Sequence, residues 1–342
     1  MTTYKDAGVD IDAADDAKRS MSESIDSGDP RVLNTLGAFA SLVDGKFPDY
    51  EHPILVLKTE EPGSKQKLAF DHGFVRSICF DTINHLINDI AVMGATPQYT
   101  QDLIICGKIE KEVVTEIVKG FADACKEQDC VLTGGETTEQ PGVLEPGVYA
   151  LAANVVGVVE KSKIIDGSAI EAGDQIIAIA SNGLHTNGYT LVRSLMDKDS
   201  TLQTSDCDGV TFLEAIMRPH TCYYHALKGL FGNNKVHGMA HITGGGLQGN
   251  LSRILPADKD AVVDLGKMQM PPVFHKVREA GNVEDTEMMK AFNMGVGIAV
   301  VVAADAVDDV RKHLEDNGHK TFSIGAITDG TKSVQFEGSL SW

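Results

Sequence analysis

His185 is a candidate functional residue because of the residues around it. It lies at the centre of the segment 181–190, which reads Ser-Asn-Gly-Leu-His-Thr-Asn-Gly-Tyr-Thr. Two glycines and two asparagines surround His185, so the segment is too polar and too flexible for an ordinary core connection. The side chain of His185 can donate a hydrogen bond, accept one, or become charged near neutral pH. A tight turn with a solvated histidine is the alternative, and the turn alone leaves both interpretations open.

The flanking segments place this turn between a strand and a helix. The apolar run 175–181 predicts a buried strand, and the spacing of apolar residues over 190–196 predicts a helix. Backbone N–H groups and the positive end of the helix dipole meet at such a junction, where they favour an anion. The sequence therefore predicts an anion-binding turn that contains His185.

Glycine-rich turns follow predicted strands at three places, 133–136, 181–183 and 243–246. Glycine allows a backbone to approach a phosphate closely and to adopt positive φ. One such turn is common after a strand, whereas three of them favour a phosphate-containing ligand. None matches the P-loop or the dinucleotide-binding fingerprint, so neither of those folds is indicated.

Acidic residues near these turns form a candidate metal site. Carboxylates that converge beside phosphates suit Mg²⁺, a hard cation that prefers oxygen ligands. The alternatives are a solvated helix face for Asp81 and a salt bridge at a helix end for Asp89. The candidates are Asp81, Asp89, Glu60 and Glu136.

Strands and helices alternate along the chain, which predicts an α/β protein with antiparallel features. The turn-forming segment 161–173 is the predicted domain boundary, and 133–142 is predicted to be a loop. Predicted helices cover 13–25, 80–93, 110–127, 211–231 with a break at Pro219, the segment after Gly246 through Ile254, 272–280 and 306–317. Predicted strands cover 53–59, 102–106, 130–132, 148–159, 236–242, 298–302, 321–327 and 333–336.

Composition limits the class of protein. The 342 residues favour two domains, and a formal charge of −19 argues against nucleic acid or anionic lipid as a partner. No apolar run approaches the roughly 20 residues that a membrane span requires, and the first residues lack the pattern of a signal peptide. Six scattered cysteines without a C-x-x-C pair predict reduced thiols in a cytoplasmic protein.

Seven motifs in order along the whole chain resemble those of one family, phosphoribosylformylglycinamidine cyclo-ligase, also called aminoimidazole ribonucleotide synthetase. The first, fifth and seventh motifs are specific to that enzyme within its superfamily. They are Tyr4–Ile11, Asn88-Asp89, Gly134-Gly-Glu136, Gly157-Val-Val-Glu160, Ser181–Gly188, His241-Ile-Thr-Gly-Gly-Gly246 and Phe292-Asn-Met-Gly-Val-Gly297.

The resemblance implies a two-domain fold of the α/β (α+β) type, with mixed sheets, flanking helices and N-terminal strands that pair across a homodimer. It implies an ATP- and Mg²⁺-binding, dimerising domain over 1–165 and a second domain over 166–342 that contributes the substrate cleft. The implied enzyme is an ATP-dependent carbon–nitrogen cyclo-ligase of purine biosynthesis. Its substrate would be formylglycinamidine ribonucleotide.

The resemblance also implies roles for individual residues. His185 would transfer a proton or stabilise the transferring phosphoryl group, and Asp89 would act with it in catalysis. Mg²⁺ would be held by Asp89, Asp81, Glu136 and Glu60. ATP and phosphate groups would be bound by Gly63, Lys65, Gly134, Gly135, Asn187, Gly244, Gly245 and Gly246.

Two segments depart from the family pattern. The chain has Glu60-Glu-Pro-Gly-Ser-Lys65 in place of Asp-Gly-Val-Gly-Thr-Lys, and Gly37-Ala-Phe-Ala40 in place of Gly-Gly-Phe-Gly. Both fall in the expected nucleotide region, and Pro62 removes a backbone donor there. Two alternatives therefore stay open: another ATP-dependent enzyme of the superfamily, such as a selenophosphate synthetase, a hydrogenase-maturation protein or a thiamine-phosphate kinase, and a non-catalytic nucleotide-binding paralogue.

Overall fold

The structure, a computed structural model, describes residues 28–34 and 38–342. The motif at 4–11, the helix predicted over 13–25 and Gly37 lie outside the described residues. None of the described helices is both long and apolar enough to cross a bilayer. The contacts divide the chain into two compact units: unit 1 comprises the described residues up to Ile90 with Thr96–Glu160, and unit 2 comprises Ala91–Ala95 with Lys161–Trp342.

Unit 1 is built on a four-stranded mixed sheet with the strand order β1-β4-β2-β3. The β1–β4 and β4–β2 pairs are antiparallel and the β2–β3 pair is parallel. The edge strand β1 is exposed on one face, because every second residue from Pro53 onwards is open to solvent. The strands are β1 Pro53–Glu60, β2 Thr96–Cys106, β3 Val131–Glu139 and β4 Tyr149–Glu160.

Helices cover the buried side of unit 1. The parallel strands β2 and β3 are joined by an amphipathic helix that buries Val114, Ile117 and Phe121, as a parallel connection requires. The helix Val75–Ala91 is buried along most of its length. Its polar residues at inner positions therefore find partners inside the unit. The helices are α1 Lys65–Asp71, α2 Val75–Ala91 and α3 Lys111–Glu127.

The prediction of a loop over 133–142 is wrong for most of that segment, because β3 continues to Glu139. Its residues pair in parallel with β2, from Gly134 opposite Gln101 to Glu139 opposite Cys106. The small, polar sequence has no apolar alternation, so the pairing depends on a neighbouring strand and not on local pattern. At position 135 a Cβ atom would lie 2.0 Å from the Asp102 Oδ1 atom, so only glycine fits there.

Unit 2 contains a six-stranded sheet with the order β12-β9-β11-β5-β10-β8 and a small two-stranded ribbon. All sheet pairs are antiparallel except β12 with β9. Every residue of β10 is buried, which matches its unbroken apolar sequence. The strands are β5 Gln175–Ala180, β6 Asp206–Cys207, β7 Val210–Thr211, β8 Val236–His241, β9 Lys259–Asp264, β10 Val296–Val302, β11 Thr321–Asp329 and β12 Val334–Glu337.

The helices of unit 2 confirm most of the sequence predictions. The predicted break at Pro219 separates two short helices, while β9 and α9 had no prediction. The helices are α4 Tyr189–Lys198, α5 Phe212–Ile216, α6 Tyr224–Lys228, α7 Gly246–Ile254, α8 Pro272–Gly281, α9 Asp285–Ala291 and α10 Val307–Asp316. The observed mixed sheets with flanking helices confirm the predicted fold class.

Candidate functional site

The turn that contains His185 connects β5 to α4, as its sequence predicts. His185 is buried and has a φ of 60°, a left-handed conformation that is uncommon for a residue other than glycine. Gly188, at the N-cap of α4, has a φ of 80°, and a Cβ there would lie 2.0 Å from the ring of Phe292. Backbone strain of this kind concentrates at functional sites.

Asn293, just before the neighbouring strand β10, fixes the first half of the turn. Its Nδ2 donates to the carbonyl of Gly183 at 2.9 Å, and its Oδ1 accepts from the Ser181 hydroxyl at 3.0 Å and from the backbone N–H of Gly295 at 2.9 Å. These bonds join the end of β5 to the start of β10. The motif Phe292–Gly297 therefore holds the histidine turn in place through Asn293.

Two further histidines lie beside His185 in unit 2. The ring of His220 stacks on the His185 ring with 3.9 Å between centroids, and His241, the last residue of β8, lies 3.0 Å from His220 between Nε2 atoms. Strands β5 and β8 are both antiparallel to β10, so their carboxyl ends lie at the same edge of the sheet. That arrangement explains why residues distant in sequence converge here. Sequence reasoning did not identify His220.

The turn 243–246 lies next to the histidine turn. A Cβ at position 244 would lie 3.4 Å from the side-chain nitrogen of Asn187, so the structure brings these two predicted phosphate-binding residues together. Gly245 and Gly246 have φ values of 91° and 60° and begin helix α7. The Asn250 amide donates to the carbonyls of Gly244 and Gly246 at 3.2 and 2.9 Å. Helices α4 and α7 thus begin at neighbouring glycine turns, where N–H groups favour an anion.

In unit 1, two of the predicted metal ligands meet at one lysine. The Lys58 ammonium lies 3.0 Å from Glu60 Oε2 and 3.1 Å from Asp89 Oδ2. The His85 Nε2 lies 3.9 and 3.7 Å from the same two carboxylate atoms. Burial opposes the charge on Lys58, but the Glu60 and Asp89 carboxylates raise the pKa of its ammonium above the usual value. These carboxylates therefore already converge on a cation.

Lys65 and Asp81 form an ion pair inside unit 1. The Lys65 Nζ lies 2.8 Å from both carboxylate oxygens of Asp81, and neither side chain is exposed to solvent. Burial lowers the pKa of the Lys65 ammonium, and the charge of Asp81 opposes that shift. The ATP role predicted for Lys65 and the metal role predicted for Asp81 stay predictions, because in the described conformation the two residues bind each other.

Register places Glu136 on the other face of the sheet from Glu60. Glu60 pairs with Ala153, and Ala153 pairs with Asp102, so Glu60 and Asp102 share a face. Glu136 pairs with Leu103, the residue after Asp102, and successive side chains on a strand point to opposite faces. The structure therefore brings Glu60 and Asp89 together and does not add Glu136 to them. Gly63, in the left-handed region at a φ of 65°, forms the turn before α1.

Asp102 is a buried carboxylate that sequence reasoning missed. Asp102 lies on the same face of the sheet as Glu60, because both residues pair with Ala153 of β4. Burial raises the pKa of the Asp102 carboxyl from 3.8 to about 7. A buried carboxylate with a perturbed pKa is a candidate for chemistry. The sequence does offer one indication of this residue, because Asp102 is an acidic residue directly before the apolar run Leu103–Cys106.

A cavity of about 450 Å³ opens on the other face of this sheet. Its wall is largely apolar, with a few polar groups such as Gln101 and Asn154, a composition common in pockets for small molecules. Ser41, which follows the altered segment 37–40, also contributes to the wall. The remaining lining residues are Val43, Gly45, Phe47, Pro53, Leu55, Tyr99, Thr133 and Val156.

Two family models cover most of the chain. The model described as "AIR synthase related protein, N-terminal domain" matches residues 54–159, and its C-terminal counterpart matches residues 171–336. The chain belongs to the AIR synthase family.

Curated relatives of this family member extend the similarity to nearly full length. Phosphoribosylformylglycinamidine cyclo-ligase from Neisseria gonorrhoeae is 40% identical over 337 residues, which cover 96% of this chain and 95% of that protein. The enzyme of the same name from Carboxydothermus hydrogenoformans is 40% identical over 336 residues, which cover 97% and 98%.

Solved structures share the AIR synthase fold at lower identity. Thiamine-monophosphate kinase from Stenotrophomonas maltophilia superposes with a TM-score of 0.67 and 20% identity, covering 96% of this chain and 97% of that one. The hydrogenase maturation protein HypE in complex with ATP gives 0.66 and 15% identity, covering 93% and 88%. These similarities establish the two-domain fold.

The buried carboxylate of Asp102 predicts how the stability of this AIR synthase family member depends on pH. Its pKa is raised in the folded state, so the free energy of unfolding is largest below the unfolded value near 3.8 and falls as pH rises towards about 7. We expect Asp102→Asn to be more stable than wild type at pH 8, by up to about 4 kcal/mol, and to gain much less at pH 4. Urea unfolding at both pH values measures this difference, and Asp49→Asn on an exposed loop is the control. Parallel pH profiles for wild type and Asp102→Asn would contradict the assignment.

Proposed function

We propose that this chain catalyses the ATP-dependent cyclisation of formylglycinamidine ribonucleotide to aminoimidazole ribonucleotide in purine biosynthesis. The proposal rests on one observation above all, the 40% identity to enzymes of that name over nearly the whole of both chains. The arrangement of unit 2 supports it, because a buried histidine and two glycine turns lie together at one sheet edge. As the sequence predicts, we place this activity in the cytoplasm, where scattered cysteines stay reduced.

The reaction has to make a formamide carbonyl electrophilic. Transfer of the γ-phosphoryl group of ATP to the formamide oxygen gives an imidate-like phosphate and ADP. The amidine nitrogen then attacks the formyl carbon, the carbon–oxygen bond breaks, inorganic phosphate leaves and the ring closes. The protein contributes mainly by positioning these groups and by stabilising the charge that develops.

His185 and the two glycine turns supply the substrate side of this reaction. We assign the phosphate of the ribonucleotide to the neighbouring starts of α4 and α7, with Asn187 and Gly244–Gly246 around it. We assign to the imidazole of His185 the task of accepting the proton that the amidine nitrogen loses, or of donating a hydrogen bond to the phosphoryl oxygens. Its fixed turn suits that task, since acid–base groups act only when they are positioned.

Unit 1 supplies the ATP side. A solved HypE structure with the same fold is a complex with ATP. We place the polyphosphate of ATP beside Glu60 and Asp89, on the face of the unit 1 sheet opposite to the cavity. Gly134 lies on the cavity face, since it pairs with Gln101, and its role in binding ATP stays a prediction. Glu136 also lies on this face, and its role as a metal ligand stays a prediction.

Glu60 and Asp89 fit a Mg²⁺ ion. Their carboxylate oxygens converge within about 3 Å of one ammonium group, and oxygen donors are what a hard cation prefers. Bound Mg²⁺ would neutralise charge on the polyphosphate. Lys58 holds the two carboxylates together in the described conformation, so the ion would have to take the place of its ammonium group.

Substitution of Glu60 tests this ligand directly. We expect Glu60→Gln to raise the Mg²⁺ concentration for half-maximal turnover by roughly 10-fold or more, because a neutral amide is a poorer ligand for a hard cation. Affinity for the ribonucleotide should not change. Mg²⁺ titration of turnover measures the effect, and Glu112→Gln on the exposed side of α3 is the matched control. A Mg²⁺ curve that does not move in Glu60→Gln would assign the metal to other residues.

The exposed edge of unit 1 supports a homodimer. Leu55 and Leu57 on edge strand β1 are 54% and 71% exposed, which is unusual for neighbouring leucines on one strand face. We propose that this strand pairs with its copy in a second chain, which would cover both leucines and complete the open edge.

Charge introduced at this edge is expected to separate the chains. Leu57→Asp should convert a dimer into a monomer at micromolar concentration, because the carboxylate would be buried against apolar surface. Val143 is 73% exposed on a loop, so Val143→Asp is a matched control that should stay dimeric. Light scattering during size-exclusion chromatography measures both masses. A dimeric Leu57→Asp, or a monomeric wild type, would remove β1 from any interface.

A turnover assay separates the proposed activity from the alternatives. Purified protein is incubated with ATP and either formylglycinamidine ribonucleotide or thiamine monophosphate, and ADP and the aminoimidazole product are followed. We expect ADP and aminoimidazole in equal amounts with the first substrate and no ADP above background with the second. Phosphorylation of thiamine monophosphate would indicate another superfamily enzyme, and ATP binding without turnover would indicate a non-catalytic paralogue.

A further inference from the structure

We propose that His185, His220 and His241 form a binding site for one divalent transition-metal ion of the Zn²⁺ or Co²⁺ type. All three belong to unit 2, and each comes from a different segment: the turn after β5, the segment that follows Pro219, and the end of β8. Their exposed fractions are 2%, 1% and 5%. Three imidazoles in one buried cluster resemble the His₃ ligand sets of metal sites more than the surroundings of a core histidine.

The distances suit a single ion. One ring nitrogen from each histidine lies within 4.8 Å of the others, and the Nε2 atoms of His220 and His241 are 3.0 Å apart. Zn²⁺ binds histidine nitrogen at roughly 2.0–2.1 Å, so two tetrahedral ligand atoms are about 3.3–3.4 Å apart. His220 and His241 would separate by only a few tenths of an ångström to accept the ion between them.

His185 would complete the site by a rotation of its side chain. Its ring now stacks on that of His220, with 21° between the planes, so the two rings are nearly parallel. Turning the imidazole about its side-chain torsions directs a nitrogen towards the space between His220 and His241. A fourth position would remain for water or for a substrate atom, as in sites that are not purely structural.

The surrounding contacts fix the segment that contains His220. The Asn182 side chain donates to the carbonyl of Pro219 at 2.8 Å, which ties this segment to the histidine turn. The Thr186 hydroxyl lies 3.5 Å from Nδ1 of His220, on the side of the ring away from His241. A polar group behind a ligating histidine sets which nitrogen faces the ion.

The chemistry of the ligands distinguishes this site from the Glu60–Asp89 pair. Imidazole nitrogen suits Zn²⁺, Co²⁺, Ni²⁺ and Cu²⁺, whereas Mg²⁺ prefers oxygen. A metal-bound nitrogen of His185 cannot also accept a proton, so we expect the loaded enzyme to turn over more slowly. This consequence rests on the proposed function, whereas the metal site itself does not.

Cobalt titration of the full chain, expressed without a histidine tag and treated with a chelator, tests the site. Four-coordinate Co²⁺ absorbs in the visible range, so binding has a readout that is independent of activity. We expect one Co²⁺ per chain, displacement by one Zn²⁺ and no displacement by Mg²⁺. In His220→Asn the band should be lost and affinity should fall by more than about 100-fold, since loss of a group behind a ligand already costs roughly 10- to 100-fold.

The matched control is His275→Asn, which removes a histidine of the same unit that packs against Trp342 outside the cluster. It should bind Co²⁺ like the wild type. Absence of a stoichiometric Co²⁺ complex in the wild type would overturn the proposal whatever the variants do. Equal affinities of wild type and His220→Asn, or equal losses in both variants, would also overturn it. A chain that is inactive with ATP and Mg²⁺ before any Co²⁺ is added, and that then gives the Co²⁺ band, would refute the proposed function and leave the metal site supported.

Discussion

Replacement of His185 by alanine is expected to lower turnover by roughly 10²-fold or more, the usual contribution of a positioned acid–base group. ATP binding should be preserved, because the proposed polyphosphate site at Glu60 and Asp89 lies in unit 1 and His185 lies in unit 2. The rate of aminoimidazole formation at saturating ATP and substrate measures the effect. ATP affinity, measured by calorimetry, shows whether the rest of the protein is intact.

The backbone at this position requires a second variant. His185 has a φ of 60°, a conformation that costs most residues about 1–2 kcal/mol but that asparagine tolerates. His185→Asn therefore removes the imidazole without that strain, and its turnover should fall as far as that of His185→Ala. A folded His185→Asn with near wild-type turnover would exclude His185 from the mechanism.

The second large effect is expected at the buried pair of Lys65 and Asp81. Asp81→Asn should lower the free energy of unfolding by about 3–5 kcal/mol, because it leaves the Lys65 ammonium without its counter-charge in a site that water does not reach. Urea unfolding monitored by circular dichroism measures the change. The exposed pair of Lys67 and Asp71 on α1 is the control, since both side chains are about half open to solvent. Asp71→Asn should change stability by less than about 0.5 kcal/mol.

Combining two substitutions separates a structural role for this pair from a role in ATP binding. Lys65→Met with Asp81→Leu removes both charges, so it should be more stable than Asp81→Asn alone. If Lys65 contacts the polyphosphate, the double variant should fold and yet fail to bind ATP. A double variant that is as unstable as Asp81→Asn would show that burial of an unpaired charge does not explain the loss.

Local sequence was sufficient to predict the elements around the histidine turn. The apolar run that became β5, the glycines that begin α4 and α7, and the stop at Pro219 each reflect an interaction within a few residues. The helix Lys65–Asp71 was missed, because Lys65 at its start is polar and yet buried.

The features that the sequence did not predict depend on residues that are distant along the chain. The segment 133–139 forms a strand only because β2 pairs with it, and the approach of Asp102 is what requires glycine at position 135. His220 had no local signal, since its place beside His185 and His241 follows from the order of strands in the sheet of unit 2. The sequence predicted that Glu60 and Asp89 converge on a cation, but it did not predict that the Lys58 ammonium lies between them.

The most direct test of the proposed reaction follows one oxygen atom. Formylglycinamidine ribonucleotide labelled with ¹⁸O in its formyl group is incubated with ATP, Mg²⁺ and the full chain, and the inorganic phosphate is analysed by mass spectrometry. Phosphorylation of the formamide oxygen predicts that the label appears in phosphate in proportion to the aminoimidazole ribonucleotide formed. Unlabelled phosphate beside the aminoimidazole product would contradict this route to ring closure, and formation of no aminoimidazole at all would contradict the function itself.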